Sequence, residues 1–237
     1  MRYRKIPSSG EALPVIGLRD DALTGDTTEA VAELEGALRL VAGWGGLIDS
    51  HPNRSIRQET IGQLLANAGL KAGAFVATKV CARGRHAGLR QIQSSLRRLD
   101  REHADLILID NLTDWSTQYQ TLRALKEEGI VRYIGLSDDG WMLNDELEAA
   151  LRCERFDLMQ LRYSIDERDV ERRLLPLALD HGIGVLASHP PLPKHSAAAP
   201  GSTDRNRASI EFVLQHPAVI GVLLDARDVV NAAAALT

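Results

Sequence analysis

Three charged residues close three successive apolar runs. Asp49 ends "GGLIDS" (45–50) with one serine after it, Lys79 comes one before the end of "AFVATKV" (74–80), and Asp110 ends "ADLILID" (104–110). If each run is a strand, alternation places Leu47 with Asp49 on one face, Phe75 and Ala77 with Lys79, and Leu106 and Leu108 with Asp110. Brought to one level, these groups set a lysine between two carboxylates, and charges are buried together only when they pair. Arg54, five residues after Asp49, is placed to close the set at zero net charge. Two flanking acids favour the ammonium form of Lys79, which argues against a Schiff-base nucleophile. Asp110 beside cations is expected to stay ionised, as a general base or cation anchor and not as a general acid. His51 adds an imidazole, the side chain suited to proton exchange near neutral pH. A charge-balanced structural network fits the same spacing, and an exposed turn fits His51.

The elements that would hold these groups recur along the chain. Strand candidates are 13–18, 45–50, 74–80, 104–110, 131–137, 156–164, 183–189 and 219–225, short runs bounded by polar or glycine-containing turns. Such runs suit strands buried on both faces of a parallel sheet. Between them lie helical stripes over 27–42, 87–99 and 115–128, the last stopped by Gly129. Asp26 with Glu29, and Ser55 with Gln58, have capping-box spacing at two helix starts. Eight strand–helix units predict an α/β fold, a (β/α)8 TIM barrel forming a single domain over 1–237. The pocket then lies at the C-terminal ends of the strands. Arg19, Tyr163 and His189 are further candidates there, Tyr163 as a surface for stacking, while Trp115 and Trp141 overhang the pocket or cover barrel ends. The loop 190–204, rich in Pro, Ala and Ser, would hang over that face or simply lie on the surface.

Composition excludes other classes. Among 237 residues the net charge is −4 and no basic cluster is interleaved with aromatics, so a nucleic-acid partner has no support. No apolar run approaches a membrane span, and "MRYRKIPSSG" lacks the apolar stretch of a secretory signal. Two cysteines, Cys81 and Cys153, without metal-ligand spacing, are read as packed thiols in a reduced, cytoplasmic protein with no metal. Aromatics are 4% of the chain, too few for an aromatic-walled pocket unless nearly all take part. Oligomeric state leaves no trace in the sequence.

These segments resemble the aldo/keto reductase family along the whole chain: "LPVIGL", "LIDSHP", "FVATKV", "SSLRRLDREHADLILIDNLTDW", "LRALKEEGIVRYIGLSD", "FDLMQLRYS", "LLPLALDHGIGVLASHPPL" and "EFVLQHPAVIGVLLDAR". The resemblance implies a (β/α)8 barrel that binds NADPH across its C-terminal face and reduces aldehydes and ketones. It assigns the family's aspartate to Asp49 and its lysine to Lys79. The tyrosine proton donor falls on Arg54 and the substrate-orienting histidine on Asp110. It also assigns the nicotinamide-binding positions to Ser137, Asp138, Gln160 and Tyr163, with Asp138 where an asparagine is usual. At the phosphate loop Asp225 replaces a glycine, and Arg227 follows to meet a 2′-phosphate.

Two of four catalytic positions therefore depart from the family, including the acid. Arginine stabilises negative charge but releases no proton near neutral pH, so ordinary carbonyl reduction is expected to be very slow. NADPH affinity is expected to be weakened or lost, since Asp225 repels a phosphate. These departures favour a non-redox step on a small polar or anionic molecule: proton abstraction, elimination or rearrangement, with Asp110 or His51 as base. A residual NADPH-dependent oxidoreductase taking its proton from His51 or water stands beside it. A non-catalytic barrel that binds a ligand or partner is the third reading.

Overall fold

Short apolar runs with buried faces on both sides pair in parallel and close on themselves. The strands are β3 (Ile16–Arg19), β4 (Leu47–Ser50), β5 (Phe75–Val80), β6 (Ala104–Asp110), β7 (Val131–Asp138), β8 (Leu158–Arg162), β9 (Gly184–Ser188) and β10 (Val219–Leu224). They form a closed parallel barrel, sealed where Val222 of β10 meets Ile16 of β3. This computed structural model describes residues 1–20, 28–138, 144–188 and 203–236. Its helices are α1 (Thr28–Gly43), α2 (Ser55–Asn67), α3 (Arg85–Arg98), α4 (Trp115–Glu127), α5 (Asn144–Cys153), α6 (Leu174–His181), α7 (Thr203–Gln215) and α8 (Ala226–Leu236). The chain is thus a (β/α)8 barrel. No helix among the described residues is long and apolar enough to cross a membrane.

Strand alternation divides the apolar residues into two layers. Leu47, Phe75, Ala77, Leu106, Leu108 and Leu158 fill the barrel interior, whereas Ile48, Val76, Ile107, Ile109 and Met159 pack outward under the helices. Gly129 stops α4 as expected: its φ is 77°, and the Ile130 N–H donates back to the Leu125 carbonyl at 2.9 Å.

The expected first strand, 13–18, is in fact two elements. Leu13 and Pro14 belong to β2 (Ala12–Pro14), which pairs antiparallel with β1 (Tyr3–Lys5) ahead of the barrel. Ile6 and Leu13 of this hairpin join the interior cluster and close its N-terminal end. The turn signal "PSSG" between two short runs was the available clue. The Ser55–Gln58 capping box is also corrected. Arg54 takes the N-cap position of α2 without a side-chain cap bond. The fully buried Gln58 amide instead donates to Thr78 Oγ1 at 3.2 Å and the Ser50 carbonyl at 3.5 Å, tying α2 to the backs of β4 and β5. Asp26 of the other capping pair lies outside the described residues.

Candidate functional site

Alternation brings Asp49, Lys79 and Asp110 to the C-terminal mouth, and it brings Arg19, Ser137, Gln160, Arg162 and Ser188 there as well. Lys79 Nζ lies 3.7 Å from Asp49 Oδ2 and 3.8 Å from Asp110 Oδ1, with all three side chains at most 10% exposed. Arg54 does not complete this set. It sits exposed at the start of α2, where solvation outweighs a pairing that needs burial. A further cation, Arg19, is buried on the neighbouring strand in register with Asp49.

The place beside Asp110 belongs to His51, whose Nε2 is 3.3 Å from Asp110 Oδ2. The Asn53 N–H donates to His51 Nδ1 at 3.1 Å. An accepting Nδ1 leaves the proton on Nε2, so a neutral His51 donates to Asp110. Ser137 Oγ donates to Asp110 Oδ1 at 3.0 Å, and Asn111 Nδ2 lies 3.3 Å from Oδ2. Burial pushes the Asp110 carboxyl up, but the His51 hydrogen bond, the Lys79 charge and Ser137 outweigh it. The net shift is below the usual carboxylate range. Asp110 is therefore ionised at neutral pH.

The chain leaves Asp110 under strain. Asn111, Leu112 and Asp114 have φ of 46°, 53° and 48°, and a left-handed conformation costs a residue such as leucine roughly 1–2 kcal/mol. Asp114 anchors the turn by accepting the Gly84 N–H at 2.6 Å. Strain of this kind concentrates where a fold holds a particular side-chain arrangement.

Deeper on the other side of the mouth, Gln160 is fully buried, and neither of its amide atoms has a hydrogen-bond partner among the described residues. The same holds for Ser188 Oγ and Asp49 Oδ1. Gln160 is in register with Ser137, and Ser188 with Arg162. Arg162, which the sequence reading passed over, forms a double contact with Glu167 at 3.1 and 3.3 Å; its signal was its position two residues after Gln160. Asp20 was also passed over, and its place in the run "GLRDD" gave no sign that it accepts from Ser50 Oγ.

Two expected cofactor residues, Tyr163 and Asp138, face the outer layer, and Arg227 lies on the surface at the start of α8. Tyr163 has the parity of Leu161 and faces outward, packed against Phe212 and His216 with its hydroxyl on Glu171 at 2.8 Å. It offers no ring to the mouth. Arg227 is exposed and pairs with Glu33 at 3.1 Å, while Asp225 Oδ1 accepts the Asp228 N–H at 2.8 Å and so occupies the start of α8. Asp138 is buried with the parity of Leu136, toward the outer layer. Trp115, at the start of α4, packs half-buried against the outer core. His189 and Trp141 lie outside the described residues, as does most of the loop 190–204. Cys153 is exposed and not packed; Cys81 is half-buried and receives the Gln91 amide at 3.1 Å.

A groove of about 1050 Å³ at the opposite end, lined by Pro7, Tyr119, Lys126, Asp157 and Gly182 among others, contains none of the inward strand ends. Its Lys126 is satisfied by Asp157 at 2.6 Å.

The model of the aldo/keto reductase family matches residues 53–193, more than half of the chain. The chain is 34% identical over 110 residues to the uncharacterized oxidoreductase YrpG of Bacillus subtilis, a match covering 43% of this chain and 33% of that protein. It is 30% identical over 110 residues to the NADH-specific methylglyoxal reductase of Escherichia coli, covering 42% and 32%. These matches span about a third of the curated relatives' length. An aldo/keto reductase of Klebsiella pneumoniae, solved with NADP and acetate, superposes with a TM-score of 0.80 at 26% identity, covering 98% of this chain and 89% of that one. With a family model spanning both the turn after β4 and the strands that carry Lys79, Asp110 and Gln160, the chain belongs to the aldo/keto reductase family.

Proposed function

We propose that the chain is a nicotinamide-dinucleotide-dependent oxidoreductase acting on a small carbonyl or hydroxyl compound. The observation that carries this reading is Gln160. A buried amide with neither atom satisfied is costly, about 1–3 kcal/mol for each unmade bond, and a carboxamide is its natural complement, matching donor to acceptor and acceptor to donor. Gln160 would hold the nicotinamide carboxamide, with Ser188 Oγ beside it as a further donor or acceptor. When bound, the cofactor supplies or takes the hydride.

The chain's own residues then handle charge on the substrate oxygen. Lys79 presents an ammonium at the mouth, a donor suited to developing negative charge, while the one N–H of His51 is given to Asp110. With Nδ1 accepting from the Asn53 N–H and Nε2–H on Asp110, His51 has no donor left for the substrate; its part is to hold Asp110 beside Lys79. Asp110, ionised, holds the ring, and Asp49 holds Lys79. The proton comes from water at the exposed edge of His51, whose side chain is 22% accessible. Without a side-chain acid the reaction is slow on simple aldehydes and better on activated carbonyls.

The test is a fluorescence titration of the protein with NADH and NADPH. Saturable binding is expected for at least one, weakened about tenfold by Gln160→Leu, the worth of one hydrogen-bonded pair. Absence of binding by both overturns the reading.

One observation favours a second reading. Asp225 occupies the α8 N-terminus and Arg227 is turned to Glu33, so the junction offers an acid where the family resemblance places phosphate. In that case Asp110 serves as base for a non-redox step on a small polar or anionic molecule. Deuterium exchange from solvent into small keto acids, lost in Asp110→Asn, would support it. Neither binding nor exchange would leave a non-catalytic barrel.

A further inference from the structure

The end of β4 carries Asp49 into the mouth, and the next turn must aim His51 at Asp110. Pro52 stiffens the turn and restricts the His51 backbone, but it ties neither residue to the barrel wall. The structure supplies a clamp from the neighbouring strand's end. Asp20 directly follows β3 and is 1% exposed. Its Oδ2 accepts from Ser50 Oγ at 2.7 Å and from the His51 backbone N–H at 3.2 Å, with Oδ1 3.4 Å from the same N–H. Its own N–H donates to the Asp49 carbonyl at 3.1 Å. One residue thus holds three consecutive positions, Asp49, Ser50 and His51.

From these contacts we infer that Asp20 is a positioning residue that sets the place and tautomer of His51. With the His51 backbone pinned, the turn returns so that the Asn53 N–H meets Nδ1 at 3.1 Å and the Arg54 N–H meets the His51 carbonyl at 3.0 Å. Nδ1 is then an acceptor, and Nε2–H points at Asp110. Releasing the clamp frees the backbone at 50–51, loosens the Asn53 contact and lets the ring sample the other tautomer. Carboxylate bonds to hydroxyl and N–H groups are charge-assisted and shorter than neutral ones, which suits a clamp. The catalytic consequence rests on the proposed function, in which His51 holds Asp110 and through it Lys79; the tautomer does not.

The experiment uses the full chain with ¹⁵N-labelled histidine, His51 being assigned by its loss in His51→Gln. Wild type is expected to show an unprotonated Nδ1 and a protonated Nε2. Asp20→Ala is expected to mix the tautomers and to lower kcat/KM by about tenfold or more, as small misplacements of catalytic groups do, with dinucleotide affinity within about twofold of wild type. Asp20→Asn keeps an oxygen facing Ser50 and His51 and is expected to restore most of both signals. If Asp20→Ala does not fold, Ser50→Ala removes one arm of the clamp and is expected to shift the nitrogen signals the same way, to a smaller extent. Folded Asp20→Ala, or Ser50→Ala in its place, with wild-type nitrogen signals overturns the inference. If wild type proves inactive as an oxidoreductase, the nitrogen signals still decide the role of Asp20, so the two failures are distinguishable.

Discussion

His51 Nε2 and Asp110 Oδ2 stand 3.3 Å apart across the barrel mouth, joining the turn after β4 to the end of β6. Through Asp110 the contact reaches Lys79, and through Lys79 it reaches Asp49. Four residues from three strand ends therefore act as one charged chain, and a change at one is felt by the others.

Removing the central cation is the severest single change. Lys79→Met leaves Asp49 and Asp110 buried without the charge between them. The expected loss is about 3–5 kcal/mol, the usual cost of breaking a buried pair from one side. Urea unfolding of Lys79→Met measures it directly. The double variant Lys79→Met with Asp49→Leu is expected to lose less than the sum of the two single changes, because the second removes a stranded charge.

Acid should weaken the fold through Asp110. Its carboxyl titrates lower in the folded chain than in the unfolded one. The stabilisation is therefore fully present above the ordinary carboxylate pKa and is lost as pH falls through the depressed folded value. Melting temperature against pH is expected to fall more steeply through that window for wild type than for Asp110→Asn, in which the titrating group is absent. Parallel curves would show that the local network does not couple to stability.

Arg54 should be dispensable where His51 is not. Arg54→Ala removes an exposed side chain outside the network and is expected to change stability by no more than about 0.5 kcal/mol. His51→Ala takes the hydrogen bond from an ionised, buried Asp110 and is expected to cost about 1–3 kcal/mol. Thermal unfolding of the two variants side by side checks the contrast, which reverses if Arg54 is the true partner of Asp110.

The N-terminal hairpin is part of the core. Ile6 is fully buried against the barrel interior, so Ile6→Ala is expected to cost about 2–5 kcal/mol, as large-to-small changes in packed cores do. Chemical denaturation of this variant measures the plug's contribution.

At the last junction, Asp225→Gly frees the start of α8 and removes a negative charge. A helix N-terminus so freed is an anion site. Calorimetric titration with NADPH is expected to show tighter binding than in wild type if the cofactor's phosphate docks there. Unchanged affinity would place the phosphate elsewhere.

Periodicity alone placed the inward faces of β4, β5 and β6. Leu47 with Asp49, Phe75 and Ala77 with Lys79, and Leu106 and Leu108 with Asp110 all point as alternation demands. That succeeded because a strand buried on both sides admits one register, and a slip of one residue would carry a charge into the outer layer. The same rule, carried past the end of β8, would have shown Tyr163 facing away from the mouth, since it differs in parity from Gln160. The hairpin escaped notice because two three-residue strands are too short for a period to register.

By itself, the sequence determined which strand ends carry charge, because side-chain direction along a strand follows from covalent geometry. Only the tertiary structure decided that His51 and not Arg54 stands beside Asp110. Arg54 and His51 each offered a donor to Asp110 from the same turn. The choice turns on burial and on loop path: Asp20 holds the turn so that His51 faces Asp110. Arg54, four residues beyond the strand, is left at the helix start in solvent. Contacts between residues distant in the chain are set by how the closed barrel brings strand ends together, and no local pattern encodes them.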